Sequence, residues 1–377
     1  CRNNELILYL SEMNIEFDSS ELRLFIDNEA IRLHPLWMRE RSKEESAVDP
    51  RSLQRLYDPE TLEVSLTFKD AKQLDQDEIL IKFSDQHEAR YSLNELLIEV
   101  EKKETLPAKV FWNSQTLEFR DFDFEYDNKT DEQMFEILDY FHQYGFAVVK
   151  NLYPEEGEII NFAERIGFIR ETNFGKTFNV RSKQQPNDLA YTSIELGPHT
   201  DNPYRRPVPS IQFLFCIENS CTGGNSTLVD GFQVAKDLKA EYPEAYRTLI
   251  DTNVLFRFTD KDTVLENTGT TIELNDQDEF TQVRFSNRLD LVPYQSPDKL
   301  EKYYEAKRIF HGMINSKKYM INFRLPAGGL IIMDNYRLLH GRTSFNTSEG
   351  SRFLQGLYID HDSIESKYKI LKKNTYG

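Results

Sequence analysis

The feature that most limits how this sequence folds is a succession of short apolar runs, each of strand length and each closed by turn residues. Ser210–Cys216, Ser226–Val229, Gln282–Phe285, Tyr319–Arg324, Gly329–Met333 and Arg352–Tyr358 all read as strands. Phe146–Val149 reads as one more, fully buried. Helical spacing occurs in few places. Met134, Ile137, Leu138, Phe141 and Tyr144 recur on one face of a helix that Asp131 can cap and Gly145 stops. Further helices are expected over Pro154–Ile166, Phe232–Tyr242 and Lys299–Asn315. Many short strands with a few flanking helices predict a mainly β fold, a sandwich or jelly roll, and argue against a βαβ sheet.

The first hundred residues read differently. Leu22–Ile26, Ala30–Leu33, Val64–Phe68 and Ile79–Phe83 are short candidate strands between charged turns, and Ser92–Lys103 is a short helix or exit segment. A length of 377 residues exceeds one average domain. We therefore expect a small β-rich N-terminal domain over residues 1–105 and a linker over 106–125. The main domain then covers 126–377. A net charge of -17 argues against nucleic acid, since phosphate contacts need clustered Lys and Arg. The longest apolar runs, such as Gly328–Met333, are too short to span a bilayer. Cys1, Cys216 and Cys221 form no disulfide framework, and CRNNELILYL lacks a signal-peptide pattern. The expected setting is the cytoplasm, with no membrane.

The chemistry concentrates in Pro198-His199-Thr200-Asp201. On an extended segment, side chains two apart point the same way, so His199 and Asp201 can reach one ion. His340, after the apolar strand LIIM, is the best third ligand; its bland reading is a capped strand end. Two His and one carboxylate on one face suit non-haem iron(II), with positions left open. Arg352 follows His340 by twelve residues. Its strand can run antiparallel to the preceding one, which sets Arg352 deep in the barrel. A buried guanidinium needs an anion, either the distal carboxylate of 2-oxoglutarate or a structural partner such as Asp360.

Taken together, these residues resemble the γ-butyrobetaine and trimethyllysine dioxygenases, within the taurine-dioxygenase-like group. The likeness is strongest over residues 145–360. It rests on Asn187–Thr192, the HTD of His199–Asp201, Thr222–Phe232, Asp334–Arg342 and Arg352–Asp360, in that order. It implies a double-stranded β-helix (jelly roll) catalytic domain with a small β-rich N-terminal domain, as a homodimer. It assigns iron to His199, Asp201 and His340, and 2-oxoglutarate to Arg352 with Ser226 and its neighbour Thr227. A carboxylate at Asp201 favours hydroxylation over halogenation.

The resemblance further implies an aromatic cage for a trimethylammonium group at Phe174, Phe178, Tyr191 and Tyr358, because a cation without N–H donors is held by ring faces. Asn287 matches the loop that holds a substrate carboxylate. Asn202, Asp188 and Arg288 depart from the γ-butyrobetaine pattern. Arg288 suits a more highly charged head group such as that of 2-(trimethylamino)ethylphosphonate, and Asp188 suits the α-ammonium of trimethyllysine. The implied partner is thus a small cationic or zwitterionic substrate. The family's N-terminal zinc cysteines are replaced by Arg39–Ser46, with only His87 matched, so no structural zinc is expected. Competing readings are a non-catalytic betaine-binding jelly-roll protein and a cupin-type lyase or isomerase, neither of which needs Arg352 and Ser226.

Overall fold

Residues 14–26, 29–100, 106–117, 123–127, 129–181 and 193–376 are described by the computed structural model. Their contacts separate a first unit, Cys1–Glu104, from a second, Thr105–Gly377.

In the first unit, β1 (Asn14–Phe17), β2 (Leu22–Ile26) and β3 (Glu29–Leu33) form an antiparallel sheet. After helix α1 (Pro35–Glu40), β4 (Phe68–Gln73), β5 (Glu78–Phe83) and β6 (Glu88–Ser92) form another, followed by α2 (Leu93–Val100). Alternate strand residues, among them Leu22, Leu24, Ile79, Ile81 and Phe83, bury in one core with Met38, Leu93 and Leu96. The strand expected over Val64–Phe68 is absent. Val64 sits in a turn, 84% exposed, and pairing starts only where Phe68 meets Phe83. Ser42, in the segment that replaces the cysteines, hydrogen-bonds His87 (Oγ to Nε2, 2.8 Å), and Arg39 pairs with Asp85.

The second unit opens with β7 (Asp123–Glu125), α3 (Asp131–Tyr144), β8 (Phe146–Lys150), α4 (Glu158–Glu164), β9 (Phe178–Arg181) and β10 (Leu196–His199). It continues with β11 (Ile211–Asn219), β12 (Ser226–Asp230), α5 (Gly231–Glu241), α6 (Pro243–Asp251), β13 (Asn253–Thr259) and β14 (Val264–Thr270). Then come β15 (Ile272–Leu274), β16 (Phe280–Val283), β17 (Asp290–Leu291) and α7 (Pro297–Ile314). The unit closes with β18 (Met320–Phe323), β19 (Leu330–Asp334), β20 (Leu338–Arg342), β21 (Arg352–Ile359) and α8 (His361–Tyr376). Two sheets dominate, in the orders β10-β20-β12-β18 and β7-β8-β19-β11-β21-β9.

Side-chain alternation sorts these strands into layers. Phe146, Val148, Cys216, Ile331, Met333 and Leu354 from the six-stranded sheet meet Leu228, Phe323 and Leu338 from the four-stranded one, so the two pack face to face. The outer face of the larger sheet (Phe213, Ile332, Leu357) lies on α3, α4 and α8. Val229 and Leu339, on the outer face of the smaller, lie on α5, α6 and α7. The unit is thus mainly β with flanking helices.

Several expectations are corrected. Thr130 caps α3, its side chain accepting from Gln133 N at 3.2 Å, while Asp131 occupies the first turn. The helix expected from Pro154 begins only at Glu158, after Gly157 at φ 95°. Helices α6 and α8 were not anticipated. Arg352 lies on β21, whose neighbours are β11 and β9, not the strand of His340. The supposed linker is anchored in this unit. Trp112, 1% exposed, donates to Asp230 Oδ2 (3.0 Å) and to the Tyr144 carbonyl (2.8 Å). Arg337 then joins Asp230 (2.7 Å) and the carbonyls of Gln143 and Val110. Both ions of this pair are fully buried, so removing one strands the other. Arg337→Leu is expected to lower the unfolding free energy by about 3–5 kcal/mol, read from urea denaturation.

Candidate active site

Three potential metal ligands converge at the edge of the four-stranded sheet. β10 pairs with β20 so that His199 stands opposite His340, their ring centroids 4.4 Å apart. The ligand atoms of His199, Asp201 and His340 lie within 4.8 Å of one another, and among the described residues they form the one such cluster. The structure changes the reason for this closeness. β10 ends at His199, and Asp201 sits in the bend beyond it, so strand alternation does not aim it. Asn335 does. Its side chain accepts from Asp201 N (2.6 Å) and donates to the Asp201 carbonyl (3.0 Å) and to the Pro209 carbonyl (2.8 Å).

The protonation pattern suits a cation. His199 Nδ1 lies 3.0 Å from the Gly197 carbonyl, to which it donates, leaving Nε2 toward Asp201 at 3.4 Å. His340 Nε2 stands 3.8 Å from the same carboxylate. Burial, then the neighbouring His199, push the His340 pKa down to about 3, so this imidazole is neutral. Burial alone would raise the Asp201 pKa, but His340, His199 and the Tyr358 hydroxyl hold it below the usual carboxylate range. Two imidazoles and one carboxylate fit a divalent metal with open positions.

Ser226 pairs with Arg342, and Leu228 with His340, so these four share the interior face. Thr227, opposite Gly341, falls on the other face. Arg352 shares the inward face of β21 with Leu354 and Tyr358 and is 7% exposed. Its Nε donates to the Gly224 carbonyl (3.2 Å), and its guanidinium lies over Phe345. Among the described residues no carboxylate pairs with it. Asp360, the alternative partner, pairs instead with Arg170 at 3.1 Å. Gly224 has φ +68°, and a Cβ there would stand 2.8 Å from Arg352 Cδ, so only glycine admits this arginine.

A cavity beside the metal cluster is lined by Phe174, Phe178, Asn202, Tyr204, Ser286, Arg288 and Tyr358, with His199 and Asp201 at its base. Phe178 stacks on Tyr358 (5.3 Å, 28°). It can do so because it pairs with Gly356, where a Cβ would strike the ring at 2.3 Å. Asn287 is exposed and outside the lining; its neighbours Ser286 and Arg288 line the cavity instead. Ser286 Oγ and Asn202 Nδ2 are buried without a hydrogen-bond partner. Asp188 and Tyr191 lie outside the described residues.

A family model described as "Taurine catabolism dioxygenase TauD, TfdA family" matches residues 105–358. The chain belongs to this family. Among curated relatives, the γ-butyrobetaine dioxygenase of Pseudomonas sp. (strain AK-1) is 37% identical over 72% of this chain and 71% of its own length. The Homo sapiens γ-butyrobetaine dioxygenase is 29% identical over 93% and 94%. The mitochondrial trimethyllysine dioxygenase of Mus musculus is 28% identical over 90% and 83%. This TauD/TfdA chain is accordingly an enzyme of the dioxygenase class.

Sequence reasoning missed four residues that the structure brings to this cluster and its surroundings: Gln212, Asn335, Arg342 and Ser286. One signal was available, since Arg342 follows His340 by two on a strand and must share its face. Gln212 is a lone polar residue in the apolar IQFLF, and its role depends on a partner strand that its own segment does not reveal. Anaerobic titration is expected to find one tightly held Co(II) per chain in the wild type, and His340→Ala is expected to lose it.

Proposed function

We propose that the chain is an iron(II)- and 2-oxoglutarate-dependent oxygenase that hydroxylates a C–H bond of a small trimethylammonium compound, with γ-butyrobetaine foremost. The observation that carries this reading is the convergence of His199, Asp201 and His340 beside an aromatic-walled cavity, with buried Arg352 on the same interior side. His199, Asp201 and His340 hold the metal. Iron with 2-oxoglutarate supplies the oxidising chemistry that exchanges C–H for C–OH. Arg352 takes the far carboxylate of 2-oxoglutarate through charge-assisted hydrogen bonds, with Ser226 beside it. The two large sheets are read as the halves of a double-stranded β-helix. Retention of a carboxylate at Asp201 supports hydroxylation.

Substrate choice follows from the two ends of the cavity. Phe174, Phe178 and Tyr358 offer ring faces to a trimethylammonium group, which has no N–H for hydrogen bonding. The curated relatives are named for γ-butyrobetaine and trimethyllysine, both trimethylammonium compounds. Ser286, Asn202 and Arg288 offer two buried polar atoms and a cation to an anionic head. Gripping both ends fixes which carbon faces the metal. Arg288 in the lining favours a second reading, in which the head group is the phosphonate of 2-(trimethylamino)ethylphosphonate.

Succinate release under iron(II) and ascorbate tests both. γ-Butyrobetaine is expected to drive it. A response to the phosphonate alone moves the assignment to the second reading, and silence with γ-butyrobetaine, the phosphonate and trimethyllysine overturns the trimethylammonium assignment. Arg352→Leu is expected to raise KM for 2-oxoglutarate by about 10- to 100-fold, the loss typical of a charge-assisted pair.

A further inference from the structure

The two oxygens of Asp201 have different surroundings. Oδ1 faces the imidazoles, 3.4 Å from His199 Nε2 and 3.8 Å from His340 Nε2. Oδ2 accepts two hydrogen bonds, from the Tyr358 hydroxyl at 2.6 Å and from Gln212 Nε2 at 2.5 Å. Both donors are buried, at 4% and 1% exposure. They reach it together because Gln212 on β11 and Tyr358 on β21 are direct partners in the ladder, with side chains on the same face. Gln212 is the one polar side chain among Ile211–Cys216, which otherwise fill the interior and the outer core. Asn335 fixes the backbone of Asp201, so the carboxylate is restrained at both ends.

A carboxylate free to rotate can bind a metal through one oxygen or both. One whose second oxygen already accepts two buried hydrogen bonds offers only the first. We propose that Gln212 and Tyr358 are positioning residues that keep Asp201 a one-oxygen ligand and so preserve a coordination position that a two-oxygen carboxylate would fill. The proposal rests on the metal-site reading above. Neither residue is one of the three candidate ligands. Tyr358 acts through its hydroxyl on Asp201, while its ring, stacked on Phe178, belongs to the cavity wall. The two roles separate chemically, since Tyr358→Phe keeps the ring and removes only the donor.

Co(II), loaded anaerobically into the full chain, tests this without turnover, because its visible absorption changes intensity with coordination number. Tyr358→Phe and Gln212→Met are each expected to weaken Co(II) binding by about 10- to 100-fold, as loss of a hydrogen bond to a ligand typically does. They are also expected to shift the Co(II) spectrum toward that of a site with one more ligand atom. A merely structural role would lower the melting temperature and leave the spectrum of the loaded protein unchanged. The proposal is overturned if folded Tyr358→Phe binds Co(II) with wild-type affinity and spectrum. Tyr358→Phe decides alone should Gln212→Met fail to fold. A different result marks failure of the underlying reading: wild-type protein that takes up no Co(II), or takes it up equally in His199→Ala, has no metal at this cluster.

Discussion

The site depends on keeping the carboxylate of Asp201 charged at a position where its side chain is only 18% exposed. Burying an ion is costly unless it is paired and its lone pairs are filled. Here the partners come from separate parts of the chain. Gln212 is on β11, Tyr358 on β21, His340 on β20, and Asn335 in the turn between β19 and β20. No local segment supplies more than a fraction of them. The ligand geometry therefore exists only once both large sheets have formed and packed, and it inherits the rigidity of their shared core.

That arrangement is possible because helices cover both outer faces. β21 is buried along its whole length, and β20 likewise. Leu357 and Ile359 point to the outer core, while Arg352, Leu354 and Tyr358 point inward. On β20, Leu338, His340 and Arg342 point inward and Leu339 outward. Each strand thus devotes every second position to the space between the sheets. In that space apolar and polar residues stand side by side, Leu228 opposite His340 and Met333 beside Gln212. The dry packing of these neighbours holds the polar groups in register.

This division explains what the sequence made legible. The central strands, α3 with its stop at Gly145, and the cluster of His199, Asp201 and His340 were readable because they rest on local periodicity and on residue types with little other use. The cap of α3 was misplaced because Thr130 and Asp131 are both good capping residues and only geometry chooses. Helix α8 escaped notice because its polar, charged residues mask the few that bury, Ile364, Tyr368 and Leu371. The neighbours of Arg352 were misassigned because sheet order is set by partners far away in sequence. Gln212 and Asn335 stayed invisible for the same reason. An amide in an apolar strand or a turn has no meaning until the carboxylate or carbonyl it meets is known.

Charge adds a last constraint on the ligand. The chain as a whole is acidic, at -17, yet Arg288 lines the cavity beside the three candidate ligands. Burial, then Arg352 and Arg288, pull the Arg342 pKa down to about 10, and Arg288 also contributes to the low pKa of His340. Arg352 and Arg288 are thus both near enough to disfavour the charge on Arg342. Across the cavity, ring faces of Phe174, Phe178 and Tyr358 favour a cation instead. A simple cation would satisfy only the aromatic wall, and a simple anion only Arg288, Ser286 and Asn202. A compact zwitterion satisfies both at once. Under the proposed function, the aromatic wall takes the cationic end of a betaine-like substrate, and Arg288, Ser286 and Asn202 take its anionic end, leaving Arg352 to 2-oxoglutarate.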